Sequence, residues 1–163
     1  NLLLKIESTV KTDPDGVDFF SDCRNAFDMV ELKDSEIETL IQGIGQIGEY
    51  EEIVVDLSGD LTERQLKLMQ DDADGIVYVC DGTMTGIRKF EKFCETLRVI
   101  EERKEVQIMN KIQLLYNRYS SKNSMQMEKL PVSLLGGIHR FENVSGRPLI
   151  EQIAKMDVLK QVR

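Results

Sequence analysis

Short apolar runs that alternate with amphipathic helical patterns are the feature that most constrains the fold of this 163-residue chain. Each run is rich in Ile, Val and Leu, so both faces of the corresponding strand are apolar. Such strands are typical of parallel sheets covered on both faces, and parallel strands need long crossover connections such as helices. The sequence therefore predicts an α/β fold, with a mostly parallel sheet and helices on both faces. The predicted strands lie at 52–56, 75–80, 111–117 and 132–138.

The segments between these runs predict the helices and loops. Apolar residues recur there at three- and four-residue spacing, and Pro148 can open the last helix because proline at the first helical position loses no hydrogen bond. Turn-forming residues at 12–16 precede a short predicted strand at 17–20. The polar stretch 120–129 is predicted to be an exposed loop. One predicted helix begins at residue 34. Three others cover 62–70, 85–103 and 148–156.

Composition restricts the class of protein. A chain of this length fits one domain, which predicts a single α/β domain over residues 1–163. The formal net charge of −8 makes nucleic acid an unlikely partner, because phosphate contacts need clustered Lys and Arg. An 18-residue apolar run and a signal peptide are both absent from the sequence, so we expect a cytoplasmic protein without a membrane span. Cys23, Cys80 and Cys94 match no metal or disulfide spacing and are predicted to be free thiols.

Polar residues stand at the ends of three predicted strands. Asp56, Asp81 and Asn117 lie at or just past these ends, and ligands of open α/β sheets bind at the carboxyl edge. Asp56 suits a Mg²⁺ ion, held directly or through water, or else it caps the following turn. Asp81 fits a turn residue before Gly82 better than a ligand. The Asn117 amide is both donor and acceptor, which suits the edge of a base, although Asn in a turn is also ordinary.

Two glycine patterns bear on nucleotide binding. The stretch "GIGQIG" (43–48) matches the dinucleotide fingerprint, but a helix precedes it and a strand follows it, the reverse of the required order. We interpret it as a glycine-rich helix end. A phosphate loop of the G-x-x-x-x-G-K-[ST] type does not occur in the 163 residues.

Three segments occur in an order that matches a known protein family. The stretch "YEEIVVDLSGDLTERQLKLMQDDADGIVYVCDGT" (50–83) is similar to the segment that carries Walker B and switch II in MinD/ParA-type ATPases, the deviant Walker group of P-loop ATPases. "KIQLLYNRY" (111–119) is similar to the strand whose terminal Asn recognises adenine, and "LPVSLLGGIHRFENV" (130–144) to the next strand and the loop that flanks the base. With the segment "DPDGVDFF…NAFDMVEL" (13–32), which is similar to the middle region of the CpaE subgroup, the chain looks most like that subgroup, which is linked to pilus assembly.

The resemblance implies roles for individual residues. Asp56 would bind Mg²⁺ through water, and residues 57–60 would form switch II, which responds to the γ-phosphate. Asn117 would face adenine with Arg118 beside it. Gly137 and Ile138, at the end of the last strand, would flank the base. The switch II residues are Leu57, Ser58, Gly59 and Asp60.

Two positions depart from the family pattern. Leu57 and Ser58 stand where the family often has prolines, which puts switch II behaviour in question. His139 stands where a proline usually follows the "GGI" strand end, which puts the base-side loop in question.

The resemblance also implies what surrounds the chain. The family's lysine-bearing Walker A loop is not in these residues, so we expect the C-terminal part of a larger ATPase domain, with an incomplete P-loop NTPase-like three-layer fold and exposed apolar edges. ATP and Mg²⁺ would be its cofactors, and it would be active as a hydrolase only with a Walker A segment upstream. The implied partners are a second copy through the nucleotide face and proteins of a pilus, partition or division system. The implied location is the cytoplasm, either free or peripheral to the membrane.

A second interpretation stays open at this point. The stretch "IVVDLSGD" also resembles the phosphoacceptor strand of a receiver domain, with Thr83 at the next strand end. That favours a non-catalytic interaction module, either receiver-like or a degenerate ATPase that scaffolds without hydrolysis. A receiver needs an acidic pair after its first strand, and residues 1–10 contain only Glu7.

Overall fold

Residues 2–20, 32–48, 50–120, 124, 127 and 129–161 are described by a computed structural model of the protein. The chain divides into two compact units, residues 1–60 and residues 61–163. Cys23 and most of the loop predicted at 120–129 lie outside the described residues.

The first unit contains short elements. An antiparallel two-stranded sheet, formed by β1 (Val10–Thr12) and β2 (Asp18–Phe20), pairs Val10 with Phe20. The turn between these strands is held by Asp13, whose Oδ1 accepts hydrogen bonds from the backbone N–H groups of Asp15 and Val17, both at 2.9 Å. The elements are α1 (Leu2–Thr9), β1 (Val10–Thr12), β2 (Asp18–Phe20) and α2 (Asp34–Ile47).

Helix α2 ends as its glycines predict. Gly48 follows its last residue with a φ of 73°, the left-handed conformation that commonly terminates helices and that glycine adopts without strain. The stretch 43–48 is therefore a helix end, and the interpretation of "GIGQIG" as such is confirmed.

The strand predicted at 52–56 is not formed, which corrects the prediction. Residues 52–58 have no regular secondary structure, and their side chains are exposed, with Val54 at 89%. A strand exists only when a neighbour satisfies its backbone N–H and C=O groups. Within the described part of the chain, no strand pairs with this segment.

The second unit alternates strands and helices. Helix α3 (Glu63–Lys67) runs on into a π-helical turn at Leu68–Asp72, and single 3₁₀ turns occur at Met109–Lys111 and Leu159–Gln161. The regular elements are α3 (Glu63–Lys67), β3 (Ile76–Cys80), α4 (Met84–Lys104), β4 (Ile112–Tyr119), β5 (Ser133–His139) and α5 (Arg147–Ala154).

The three strands of the second unit form a parallel sheet in the order β3-β4-β5 within the described residues. Ile76 lies opposite Ile112 at one end of the β3–β4 ladder, and Cys80 lies opposite Tyr116 at the other. The β4–β5 ladder is irregular near its end, between Asn117 and Tyr119. The predicted α/β class with a parallel sheet is confirmed for this unit.

Helices cover both faces of this sheet, as predicted. On one face, Leu114 and Tyr116 of β4 join a buried cluster with Phe90 and Cys94 of α4. On the other face, Leu115 of β4 packs in a cluster to which Ile153 of α5 belongs. Full burial of such side chains stabilises the fold by roughly 1.5–3 kcal/mol each.

A lysine fixes the C-terminal end of the α3 segment. Lys111 Nζ donates hydrogen bonds to the carbonyl oxygens of Met69, Gln70 and Ala73, at 3.2, 2.8 and 2.8 Å. The last carbonyls of a helix have no partner inside the helix, so an external donor satisfies them. This contact ties the start of β4 to the segment that precedes β3.

Three smaller features of the described residues concern the cysteines, His139 and the apolar character of the helices. Cys80 and Cys94 are free and buried, as predicted. His139 is exposed at the end of β5, with its ring centroid 4.1 Å from that of Phe141. Among the described residues, no helix combines the length and apolar character needed to cross a membrane.

Candidate functional site

A cleft of about 470 Å³ opens at the carboxyl edge of the sheet in the second unit. It lies where β3 and β4 end and α4 begins, which is where ligands bind in open α/β folds. Val79, about half exposed on the edge strand, contributes an apolar wall. The polar side chains that line the cleft are Asp81, Thr83, Thr85, Lys89, Asn117 and Arg118.

Asp81 is held in place by Thr83. Its Oδ1 accepts one hydrogen bond from the Thr83 backbone N–H at 3.0 Å and another from the Thr83 hydroxyl at 2.8 Å. The same hydroxyl oxygen accepts from the Gly86 backbone N–H at 3.1 Å, which caps the start of α4. The backbone and side-chain hydrogen bonds from Thr83, with a smaller effect of Lys89, lower the pKa of Asp81, so this carboxyl group is ionised at neutral pH.

Two glycines make room for this arrangement. A Cβ atom at Gly86 would clash with Asp81 Oδ1 and would lie 3.2 Å from Cys80 Sγ. Gly82 has a φ of 72°, and a Cβ atom there would lie 2.9 Å from the Cβ of Ser124. The Asp-Gly-Thr turn therefore requires glycine at 82 for its conformation and at 86 for the position of the carboxylate.

Asn117 and Arg118 enter the cleft from the end of β4. Asn117 lies opposite Ile138 and Tyr119 opposite His139, so Arg118 is the extra residue of a bulge. Its φ of 56° is left-handed, which costs a non-glycine residue about 1–3 kcal/mol. Bulges of this kind redirect side chains at the edges of sheets.

The cleft combines charges of both signs. Lys89 and Arg118 supply cationic donors, and the Asp81 carboxylate supplies an anionic acceptor. Asn117 offers both a donor and an acceptor. Within the described chain, no hydrogen bond or ion pair engages the side chains of Asn117 and Arg118. The cleft therefore suits a polar ligand that presents donors as well as acceptors.

The other residues implied by the resemblance do not line this cleft. Ile138 is buried in the cluster with Leu115, and Gly137 lies against Tyr116. Asp56 and the switch II segment 57–60 belong to the first unit and are exposed, in a segment without regular secondary structure.

The metal role of Asp56 stays a prediction. In the described residues, no group of three His, Cys, Asp or Glu side chains is placed to hold a metal ion. Mg²⁺ in proteins commonly keeps several waters and uses one or two carboxylates, so a single acid remains compatible with the predicted role.

Sequence reasoning missed several residues of the cleft. Lys89, Thr85 and Gly86 lie in the first two turns of α4, and nothing in their spacing marks them as ligands. A signal was present, since a strand that ends in Asp-Gly-Thr at the start of a long helix places that helix's first residues beside the strand end.

Comparison with known proteins does not assign the chain to a family. No protein-family model matches the sequence, and no curated protein matches it. The resemblance to MinD/ParA-type ATPases thus rests on the sequence segments quoted above. The side chains of the cleft are the structural basis for a functional proposal.

Proposed function

We propose that this chain is the nucleotide-binding portion of a MinD/ParA-type ATPase and that the cleft of the second unit binds the nucleoside end of ATP. The observation that supports this most is the convergence of Asn117 and Arg118 on one cleft at the carboxyl edge of a parallel sheet. The resemblance implies that Asn117 faces adenine, with Arg118 beside it.

The chemistry of both side chains suits this role. An amide can donate to a ring nitrogen of adenine and accept from its amino group at the same time. A planar guanidinium can stack on the face of a base, and it can also pair with a phosphate oxygen. The exposed side chain of Val79 adds an apolar surface against which a base can pack.

The phosphate end of the nucleotide needs more than this cleft. In the proposed role, Asp56 serves Mg²⁺ and residues 57–60 respond to the γ-phosphate, while a lysine loop from outside these 163 residues cradles the phosphates. Hydrolysis is therefore expected only when such a loop is present. ATP-dependent dimerisation would then organise a pilus, partition or division assembly in the cytoplasm.

Calorimetric titration of Mg-ATP into the 163-residue chain tests the proposal. Asn117→Ala should weaken ATP binding by about tenfold, since a net hydrogen bond contributes about 1 kcal/mol and a base edge uses more than one. Asn110→Ala is the matched control, because Asn110 is exposed in a 3₁₀ turn and does not line the cleft. Equal affinities of the wild type and Asn117→Ala would remove the cleft from nucleotide binding.

A second candidate function is a protein-interaction module without catalysis. The observation that favours it is the exposed apolar segment of the first unit, with Ile53, Val54 and Val55 all open to solvent. Contiguous exposed apolar surface commonly marks a site of protein contact. The absence of any ATP binding at millimolar concentration would favour this module over the nucleotide-binding role.

A further inference from the structure

We infer that Asp81 is a specificity-determining residue of the cleft, whose carboxylate accepts a hydrogen bond from an O–H or N–H donor on the nucleoside part of the ligand. This inference rests on the proposed nucleotide-binding function. The resemblance gives Asp81 no role, and its sequence pattern favours a simple turn residue.

The first support is that Thr83 holds one oxygen of the Asp81 carboxylate in place. Both hydrogen bonds from Thr83 go to Oδ1. Within the described residues, no side chain or backbone group of another residue donates to Oδ2. Asp81 lines the cleft, and its carboxylate is a preorganised acceptor whose Oδ2 receives no hydrogen bond from another described residue.

The second support is the glycine at position 86. Any side chain there would push the Asp81 carboxylate away from its position over the start of α4. Gly86 is the third residue of α4, in the first turn of the helix. Its lack of a side chain leaves the space that the Asp81 carboxylate occupies.

The third support is the charge pattern. An ionised carboxylate repels phosphate groups. The Asp81 carboxylate in the same cleft as Lys89 and Arg118 therefore disfavours a bare polyphosphate as the ligand. A nucleoside carries neutral donors for Asp81 and ring nitrogens as acceptors for the cationic groups and for Asn117. Three donors qualify: the 2′-hydroxyl, the 3′-hydroxyl and the exocyclic amino group.

The test is a set of calorimetric titrations on the 163-residue chain. The ligands are ATP, 2′-deoxy-ATP, 3′-deoxy-ATP, purine riboside triphosphate, which lacks the amino group, and inorganic triphosphate. We expect one of the three analogues to bind at least about tenfold more weakly than ATP, the size expected for losing a hydrogen bond to a charged group. That analogue identifies the donor.

Asp81→Asn should abolish this discrimination. The amide oxygen can still accept from Thr83, so the cap of α4 is retained, but an NH₂ group replaces Oδ2 and cannot accept. The analogue and ATP should then bind within about threefold of each other, and inorganic triphosphate should bind more tightly than to the wild type. Asp74→Asn is the control, since Asp74 is exposed and does not line the cleft.

Gly86→Ala is a second variant that moves the carboxylate without changing its charge, and it should reduce the discrimination in the same way. If ATP binds but all analogues match it, or if discrimination survives in Asp81→Asn, the role of Asp81 is refuted while the nucleotide site stands. If no nucleotide binds the wild type, the proposed function is refuted, and the role of Asp81 with it.

Discussion

Residues 52–56 and residues 76–80 are two apolar runs of similar composition, "EIVVD" and "IVYVC", that reach different structures. The second run forms β3 and pairs along its whole length with β4. The first run forms no strand in the described part of the chain, and Val54 at its centre is 89% exposed. A high β-propensity is therefore not enough to form a strand. The backbone N–H and C=O groups also need hydrogen bonds from a neighbouring strand.

The same contrast separates the two units. Among the first-unit residues whose burial the structure describes, Ile6 is the one large apolar side chain that is buried, and Val17, Phe19 and Phe20 are exposed, as are residues 52–56. The other buried apolar side chains among the described residues belong to the second unit, which has its own core around β4. The second unit thus has the packed core that a scaffold for a binding site requires.

The largest effect expected from this contrast is the loss of stability when a buried side chain is truncated. Leu114→Ala, at a fully buried position of β4, should lower the free energy of unfolding by about 2–5 kcal/mol. Val54→Ala should change it by less than about 0.5 kcal/mol, because its side chain is already in water. Urea unfolding followed by circular dichroism measures both. Comparable losses in the two variants would mean that residues 52–56 are packed, and the contrast would fail.

The next effect concerns a polar contact of the second unit. Lys111→Met removes the donor that satisfies the carbonyls of Met69, Gln70 and Ala73. It should lower the free energy of unfolding by about 1.5–3 kcal/mol, the range for hydrogen bonds to a charged group. Lys11→Met, at an exposed position of β1 in the first unit, is the control and should cost less than about 0.5 kcal/mol. Thermal unfolding of both variants is the measurement. Equal melting temperatures would show that Lys111 does not fix the end of α3.

A third effect is a loss of stability of the second unit at alkaline pH. Burial raises the pKa of Cys94 from 9.0 to about 11, so the folded state binds this proton more tightly than the unfolded state. The stabilisation is complete below pH 9 and is lost progressively as the pH rises towards 11. By about pH 10.5 the free energy of unfolding should have fallen by up to about 2 kcal/mol through this group.

Cys94→Ala isolates this contribution, because Tyr78 and Tyr116, whose pKa values are also raised by burial, titrate in both proteins. Unfolding free energies measured at several pH values should fall more steeply for the wild type than for Cys94→Ala above pH 9. Parallel curves would show that the thiol is not desolvated in the folded protein.

The smallest effect compares two helical glycines. Gly45→Ala in α2 should stabilise the protein by up to about 1 kcal/mol, because a Cβ atom there meets no neighbour within 4 Å. Gly86→Ala in α4 should bring no such gain, since the added methyl group meets Asp81 and Cys80. Differential scanning calorimetry resolves the two. A matching gain at Gly86 would mean that the Asp81 carboxylate moves away at little cost.

The sequence predicts the elements of the second unit closely. In the first unit it predicts β2 and the start of α2, but also a strand at 52–56 that is not formed. Strands β3, β4 and β5 and helix α4 lie within two residues of their predicted bounds, because their apolar patterns coincide with burial. The strand predicted at 52–56 is wrong because pairing is a property of neighbours and not of composition. The contact of Lys111 with three carbonyls could not be predicted either, since it joins positions about 40 residues apart.

The cleft was predictable in part. The carboxyl-edge rule selects Asp81 and Asn117, which both line it. The position of Arg118 depends on a bulge, which follows from the register of β4 against β5, and local sequence does not determine that register. The presence of Lys89 depends on how α4 packs across β3 and β4, which is a tertiary property.

The most direct test of the nucleoside site is a two-dimensional ¹H–¹⁵N NMR titration of the 163-residue chain with Mg-ATP. We expect the largest saturable shifts at the backbone amides of Asp81, Thr83, Gly86, Asn117 and Arg118, with smaller changes along β5. The same titration of Asn117→Ala should need about tenfold more ATP to reach saturation. Shifts confined to the first unit, or none at the cleft, would contradict a nucleoside site at the carboxyl edge of this sheet.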